Sequence, residues 1–123
     1  MTPDLYSRSG FDPPWTGYIA LCEAVVVGTC AFKSAPCDDR LEIAYYTMPS
    51  HEGRGIATAM AQELIEVARS ERPEITVTAQ TLPEENASTA ILRKLGFAHA
   101  GILHTVEDGD VWEWHLHPGF RLR

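Results

Sequence analysis

The sequence has no long apolar run. Nothing in it approaches the roughly 20 consecutive residues that a membrane span needs. The stretch "MTPDLYSRSGFDPPW" lacks a basic region followed by an apolar one, which argues against a secretory leader. Cysteine is scarce: Cys22, Cys30 and Cys37 make an odd set without a CxxC pair. That excludes a disulfide framework and fits a reducing, cytoplasmic setting. Basic residues are also few, with 10 Lys and Arg against 17 Asp and Glu, for a formal charge of −7. Such a balance disfavours nucleic acid and anionic membrane surfaces as partners, and tolerates or attracts a cationic one such as an amine. Neither an internal repeat nor a low-complexity segment is present.

What is present suits one domain. The 123 residues are too few for two independent cores, and 45% are hydrophobic. Residues 1–16 hold Pro3, Gly10, Pro13 and Pro14 and read as an irregular arm. Tyr18–Cys22 and Val25–Phe32 are rich in strand formers, with Glu23-Ala24 as a tight connection. "LEIAYYT" (41–47) is a third strand, with Leu41, Ile43 and Tyr45 on one face and Glu42, Ala44 and Tyr46 on the other. In 56–69, Ile56, Met60, Leu64 and Val67 recur at helical steps, and Pro73 ends the segment. "ITVTAQT" (75–81) alternates as a strand does. Asn86 or Ser88 can cap a short helix that Gly96 ends. Two late strands, near 98–106 and 111–117, flank Asp108-Gly109, a hairpin signal. The order β-β-β-α-β-α-β-β predicts an α/β (α+β) fold with a mixed, mostly antiparallel sheet around a central β-α-β unit.

The stretch "HEGRGIAT" (51–58) lies between the third strand and the first helix. No Gly-Lys-Ser/Thr follows, so it is not a nucleoside-triphosphate loop. As a dinucleotide fingerprint it fits poorly. Thr58 stands where a third glycine belongs, five residues intervene after the strand, and the next strand ends in Gln80-Thr81 without an acidic ribose ligand. Two readings stay open on spacing alone. One is a diphosphate cradle, in which N–H groups of residues 53–58 and the helix dipole face one anion. The other is a glycine turn that starts a helix and binds nothing.

Three segments together resemble the GNAT superfamily of acyl-CoA-dependent N-acetyltransferases. Glu52-Gly53-Arg54-Gly55-Ile56-Ala57 is similar to its central Gln/Arg-x-x-Gly-x-Gly/Ala motif. "EIAYYTMP" resembles its fourth strand, and "ENASTAILRKLGF" its second motif. The likeness covers roughly residues 25–117 and looks closest to the branch that includes ribosomal-protein N-terminal acetyltransferases. It implies an N-acetyltransferase that moves an acetyl group from acetyl-CoA to an amine by direct attack in a ternary complex. The backbone of Gly53, Arg54, Gly55, Ile56, Ala57 and Thr58 would bind the CoA diphosphate, with Glu52 at its edge. Thr47 and Met48 would pair with the pantetheine arm, an N–H near Tyr46–Met48 would polarise the thioester carbonyl, and Asn86 and Ser88 would lie near the cofactor.

Three positions depart from the pattern. Glu52 stands where Gln or Arg is usual, putting a carboxylate beside a diphosphate. Leu92 stands where many members carry a general-acid tyrosine. The segment before the first clear strand is short, where the family usually has helices that wall the acceptor site. The acceptor site is then open or completed by a second copy in a homodimer.

An amine attacks only when neutral, so a base must take a proton. Glu42, on the strand leading to the cofactor, is the candidate; the competing reading is a structural glutamate bonded beneath the sheet. His115 and His117 share a strand face as metal ligands would, but no clear cluster completes a site, and no metal is expected. Trp112 and Trp114 share a face in the core or at a subunit contact. A competing function of another class is a non-catalytic acyl-CoA-binding regulatory or interaction module.

Overall fold

The computed structural model describes residues 3–7 and 14–119. Among the described residues, seven strands form one sheet in the order β1-β2-β3-β4-β5-β7-β6. They are β1 (Asp4–Ser7), β2 (Gly17–Cys22), β3 (Val25–Phe32), β4 (Arg40–Thr47), β5 (Thr76–Thr81), β6 (Ala98–Thr105) and β7 (Gly109–Leu116). Helix α1 (Ile56–Glu71) links β4 to β5, and α2 (Ala87–Lys94) links β5 to β6. Only β4 and β5 pair in parallel; the remaining neighbours are antiparallel. The mixed sheet with a central β-α-β unit is the predicted class.

One predicted region needs correction. Within the irregular arm expected at 1–16, Asp4–Ser7 is a strand that pairs along β2, from Asp4↔Leu21 to Ser7↔Tyr18. Four residues beside a proline carry too little alternation to read as a strand. Their order comes from hydrogen bonds offered by the edge of β2, a tertiary effect. Residues 1, 2 and 8–13 of that arm lie outside the described residues.

The helices pack on one face of the sheet. α1 buries Ile56, Met60, Leu64 and Ala68, one stripe at steps of four residues, with Ala61 beside it. These meet Leu41 and Ile43 of β4, which alternate with the more exposed Glu42 and Ala44. α2 adds Leu92 to the same cluster, and its Arg93 guanidinium lies 4.9 Å from the Trp114 ring centroid. The Glu23-Ala24 connection forms as expected, with both residues at positive φ (50° and 66°), as a tight hairpin requires.

Gly28 of β3 sits under α1 where no side chain fits. A Cβ there would lie 2.5 Å from the Tyr46 carbonyl oxygen and 2.9 Å from Met60 Cε. The absent side chain lets the end of β4 and the first turns of α1 approach β3 together. That approach positions the strand end and the glycine turn beside one another.

Candidate active site

The two central strands separate because they follow different neighbours. β4 and β5 pair only over Arg40↔Thr76, Leu41↔Val77 and Glu42↔Thr78. Beyond that rung, β4 stays with β3 through Ala44↔Ala31 to Thr47↔Gly28. β5 stays with β7 through Ala79↔Trp114 to Thr81↔Trp112. A buried hydrogen bond from Trp114 Nε1 to Thr81 Oγ1, 3.0 Å long, secures β5 on that side. The result is a wedge-shaped gap with Glu42 at its last paired rung.

Main-chain groups of β4 face this gap. The amide N–H of Lys33 donates to the Glu42 carbonyl, and that of Met48 to the Val27 carbonyl. In an antiparallel ladder such bonds fall on alternate residues. Glu42, Ala44, Tyr46 and Met48 therefore turn their polar main chain to β3, and Tyr45 and Thr47 turn theirs to the gap. The Oγ1 of Thr47 is buried and without a hydrogen-bond partner among the described residues.

A cleft of about 620 Å³ runs from the strand end to the glycine turn and the start of α2. Thr47, Glu52, Gly53, Gly55, Thr58 and Ser88 line it, with Ile56 and Ala57 behind the turn. Gly53 and Gly55 both have φ of 78°, a left-handed backbone that glycine adopts without strain. Gly55 is the N-cap of α1, and no side chain caps that end. The first N–H groups of a 16-residue helix are thus left open toward the cleft, where its dipole favours an anion.

Not every predicted cofactor residue converges here. Arg54 is exposed and is not part of the cleft lining. The Met48 amide is committed to Val27, and its carbonyl accepts from the His51 N–H. Asn86 caps α2: its Oδ1 accepts from the Thr89 N–H at 3.1 Å, and Thr89 Oγ1 in turn accepts from the Asn86 N–H at 2.9 Å. Ser88, by contrast, is exposed and faces the cleft. Leu92 is wholly buried in the core, so its position offers the cleft no proton donor.

A second cleft of about 340 Å³ opens across the gap, lined by Lys33, Glu42, Ala44, Gln80, Leu82 and Asp108 among others. Tyr45 and Ser88 line both clefts. The Glu42 carboxylate is 3.5 Å from Lys33 Nζ. Burial pushes its carboxyl above the usual range; Lys33 opposes that shift and the nearby Glu113 reinforces it. Burial likewise pushes the Tyr45 phenol up to about 12, so it remains a hydrogen-bond donor at neutral pH. His115 does not join His117 in a site with carboxylates from several elements; its Nε2 lies 2.7 Å from Glu113 Oε1. Trp114 is fully buried and Trp112 partly so.

Sequence reasoning missed Gly28, Lys33 and Gln80. No motif marks them. Lys33 was accessible in principle, because the hairpin register sets it opposite Glu42. Gln80 depends on where β4 and β5 part, which spacing along the chain does not encode.

The sequence profile of the family described as "Acetyltransferase (GNAT) domain" matches residues 6–98. An uncharacterized N-acetyltransferase, p20, from Bacillus licheniformis is 31% identical over 83 residues, covering 67% of this chain and 47% of that protein. The chain thus spans about half the length of this curated relative. Among solved structures, a ribosomal-protein-alanine N-acetyltransferase from Brucella melitensis is 25% identical with a TM-score of 0.72, covering 83% of this chain and 68% of that one. A putative acetyltransferase from Salmonella typhimurium, solved with its cofactor acetyl-CoA, is 21% identical with a TM-score of 0.73, covering 89% and 68%. The last likeness is one of fold. With the profile matched over most of its length, the chain belongs to the GNAT acetyltransferase domain family.

Proposed function

We propose that this chain is an N-acetyltransferase that moves an acetyl group from acetyl-CoA to an amine within a ternary complex. The observation that carries the reading is the meeting of two clefts at Tyr45 and Ser88. One has a helix N-terminus and glycine turn suited to a diphosphate; the other holds a carboxylate whose proton affinity burial has raised.

In this reading the CoA diphosphate lies against the main chain of Gly53–Thr58. The pantetheine arm enters the gap and pairs with the polar main chain of Tyr45 and Thr47. Met48 and Asn86 support this geometry through the strand end and the α2 cap. The Thr47 N–H polarises the thioester carbonyl. The amine enters from the second cleft and loses a proton to Glu42, directly or through water. Its nitrogen adds to the thioester carbon, and the C–S bond breaks as the tetrahedral adduct collapses. A thiolate with a pKa of about 8.5 is a fair leaving group, and the Ser88 and Tyr45 hydroxyls at the junction can hydrogen-bond it.

The domain is read as one unit over 1–123, acting on a small-molecule or peptide amine in the cytoplasm as a homodimer. The free state of Cys22, Cys30 and Cys37 supports a reducing compartment. Among the described residues no helix is long and apolar enough to cross a membrane. Exposed Tyr6 and Tyr46, which share a sheet face, offer a surface for the second copy.

Release of CoA thiol from acetyl-CoA over a panel of amines tests the reading. Turnover is expected with wild type and reduced about 100-fold in Glu42→Gln. Binding of acetyl-CoA with no thiol release from any amine would instead favour the non-catalytic module.

A further inference from the structure

The sheet face opposite α1 and α2 carries charged groups that the transfer step leaves unused. Register fixes their order. Glu42 of β4 is paired with Thr78 of β5, and Thr78 with His115 of β7. One two-residue step toward the open end of the gap, Gln80 is paired with Glu113. Paired residues share a face, so Glu42, Gln80, Glu113 and His115 all project from the same side. Gln80 and Glu42 line the acceptor cleft, and Glu113 flanks Gln80 at its margin.

Glu113 is held in place rather than free to swing. Its Oε1 is bonded to His115 Nε2, and the His115 side chain is only 12% exposed. Among the described residues only Oε1 of Glu113 is bonded, and the side chain keeps 25% exposure. Lys33 balances Glu42, but among the described residues the partner of Glu113 is a histidine, which is charged only if protonated. Asp108 adds another acid at the cleft lining. Two partly buried carboxylates close enough to repel each other destabilise a fold. They are rewarded when a cation lies between or across them.

We propose that Glu113, braced by His115, is a specificity-determining residue that binds a second positive charge on the acceptor, so that the preferred substrate is a primary amine whose carbon chain carries another cationic group. This rests on the transfer reading for the role of Glu42. Glu42 receives the reacting nitrogen and Glu113 the distal one. Two strand spacings of about 4.8 Å and one two-residue step of about 6.7 Å put their α-carbons about 12 Å apart. Two glutamate side chains and a short diamine together can cover that span.

The test is binding without turnover. 1,4-Diaminobutane and 1-aminobutane are titrated separately into the CoA-saturated protein and followed calorimetrically, for wild type, Glu113→Gln and His115→Gln. Wild type is expected to bind the diamine about 10-fold more tightly than the monoamine. Glu113→Gln should reduce that preference to within about 2-fold, and His115→Gln should reduce it partway, with CoA affinity unchanged in both and the melting temperature of Glu113→Gln no lower than that of wild type. A purely structural role would move affinity for both amines together, leaving their ratio intact. Equal binding of the two amines by wild type, binding of neither, or a ratio that survives Glu113→Gln would each overturn the proposal. Failure of CoA to bind would overturn the transfer reading separately, because the amine ratio is measurable without it.

Discussion

The cleft proposed for the donor and the cleft proposed for the acceptor meet at the same two residues, yet they are built differently. The donor side is made of main chain: two left-handed glycines, an uncapped helix end and the polar edge of β4. The acceptor side is made of side chains from separate parts of the sheet: Lys33 just after β3, Glu42 of β4, Gln80 of β5 and, at the margin, Glu113 of β7. Main-chain sites depend on backbone shape and tolerate side-chain change. Side-chain sites depend on register and on charge. If the two clefts take the proposed roles, one scaffold can keep a common donor while acceptors vary.

The sharpest way to break both halves at once is at Gly28. Gly28→Ala forces a Cβ against the Tyr46 carbonyl, which is backbone and cannot rotate aside. A loss of about 3 kcal/mol in unfolding free energy is expected by chemical denaturation, with acetyl-CoA binding and amine binding both impaired. Retention of wild-type stability would show that β4 does not depend on the close approach.

The next effect belongs to the acceptor side alone. In its proposed role as base Glu42 must be ionised, and its carboxyl sits above the usual range. Below that raised value it is protonated and inactive, so kcat/KM should climb with pH and level off above it. Removing the opposing cation with Lys33→Met should move this limb to higher pH. Glu42→Gln should abolish the limb while leaving acetyl-CoA affinity intact. A pH profile unchanged in both variants would return Glu42 to a structural role.

The smallest effect separates charge from shape on the donor side. Glu52 lines the cleft proposed for the donor, where its carboxylate would oppose a diphosphate. Glu52→Gln should tighten acetyl-CoA binding about 2- to 5-fold at low salt, with the gain shrinking as salt screens it. Weaker binding would mean that the carboxylate makes a favourable contact.

The same contrast governs what was legible from residues alone. The glycine turn, the helix it opens, the short capped α2 and the closing hairpin are local features, and local chemistry announces them. Asn86 illustrates the limit. Its type marks a helix cap and a family motif equally, and only the geometry shows the side chain committed to Thr89 while Ser88 faces the cleft. Strand β1 escaped notice because its order comes from β2 and not from its own four residues. The acceptor cleft escaped because its members lie far apart in sequence and converge only where β4 and β5 separate.

The central claim is that main chain at Gly53–Thr58 holds the CoA diphosphate. Titration of acetyl-CoA into wild type and Gly55→Val tests it most directly, since a branched residue is strained at a φ of 78°. The account predicts saturable binding by wild type, worth about 2.7 kcal/mol of added stability at 100 times the dissociation constant. It predicts affinity at least about 10-fold weaker in Gly55→Val. No binding by wild type at millimolar acetyl-CoA, or equal affinity in the two proteins, would contradict it.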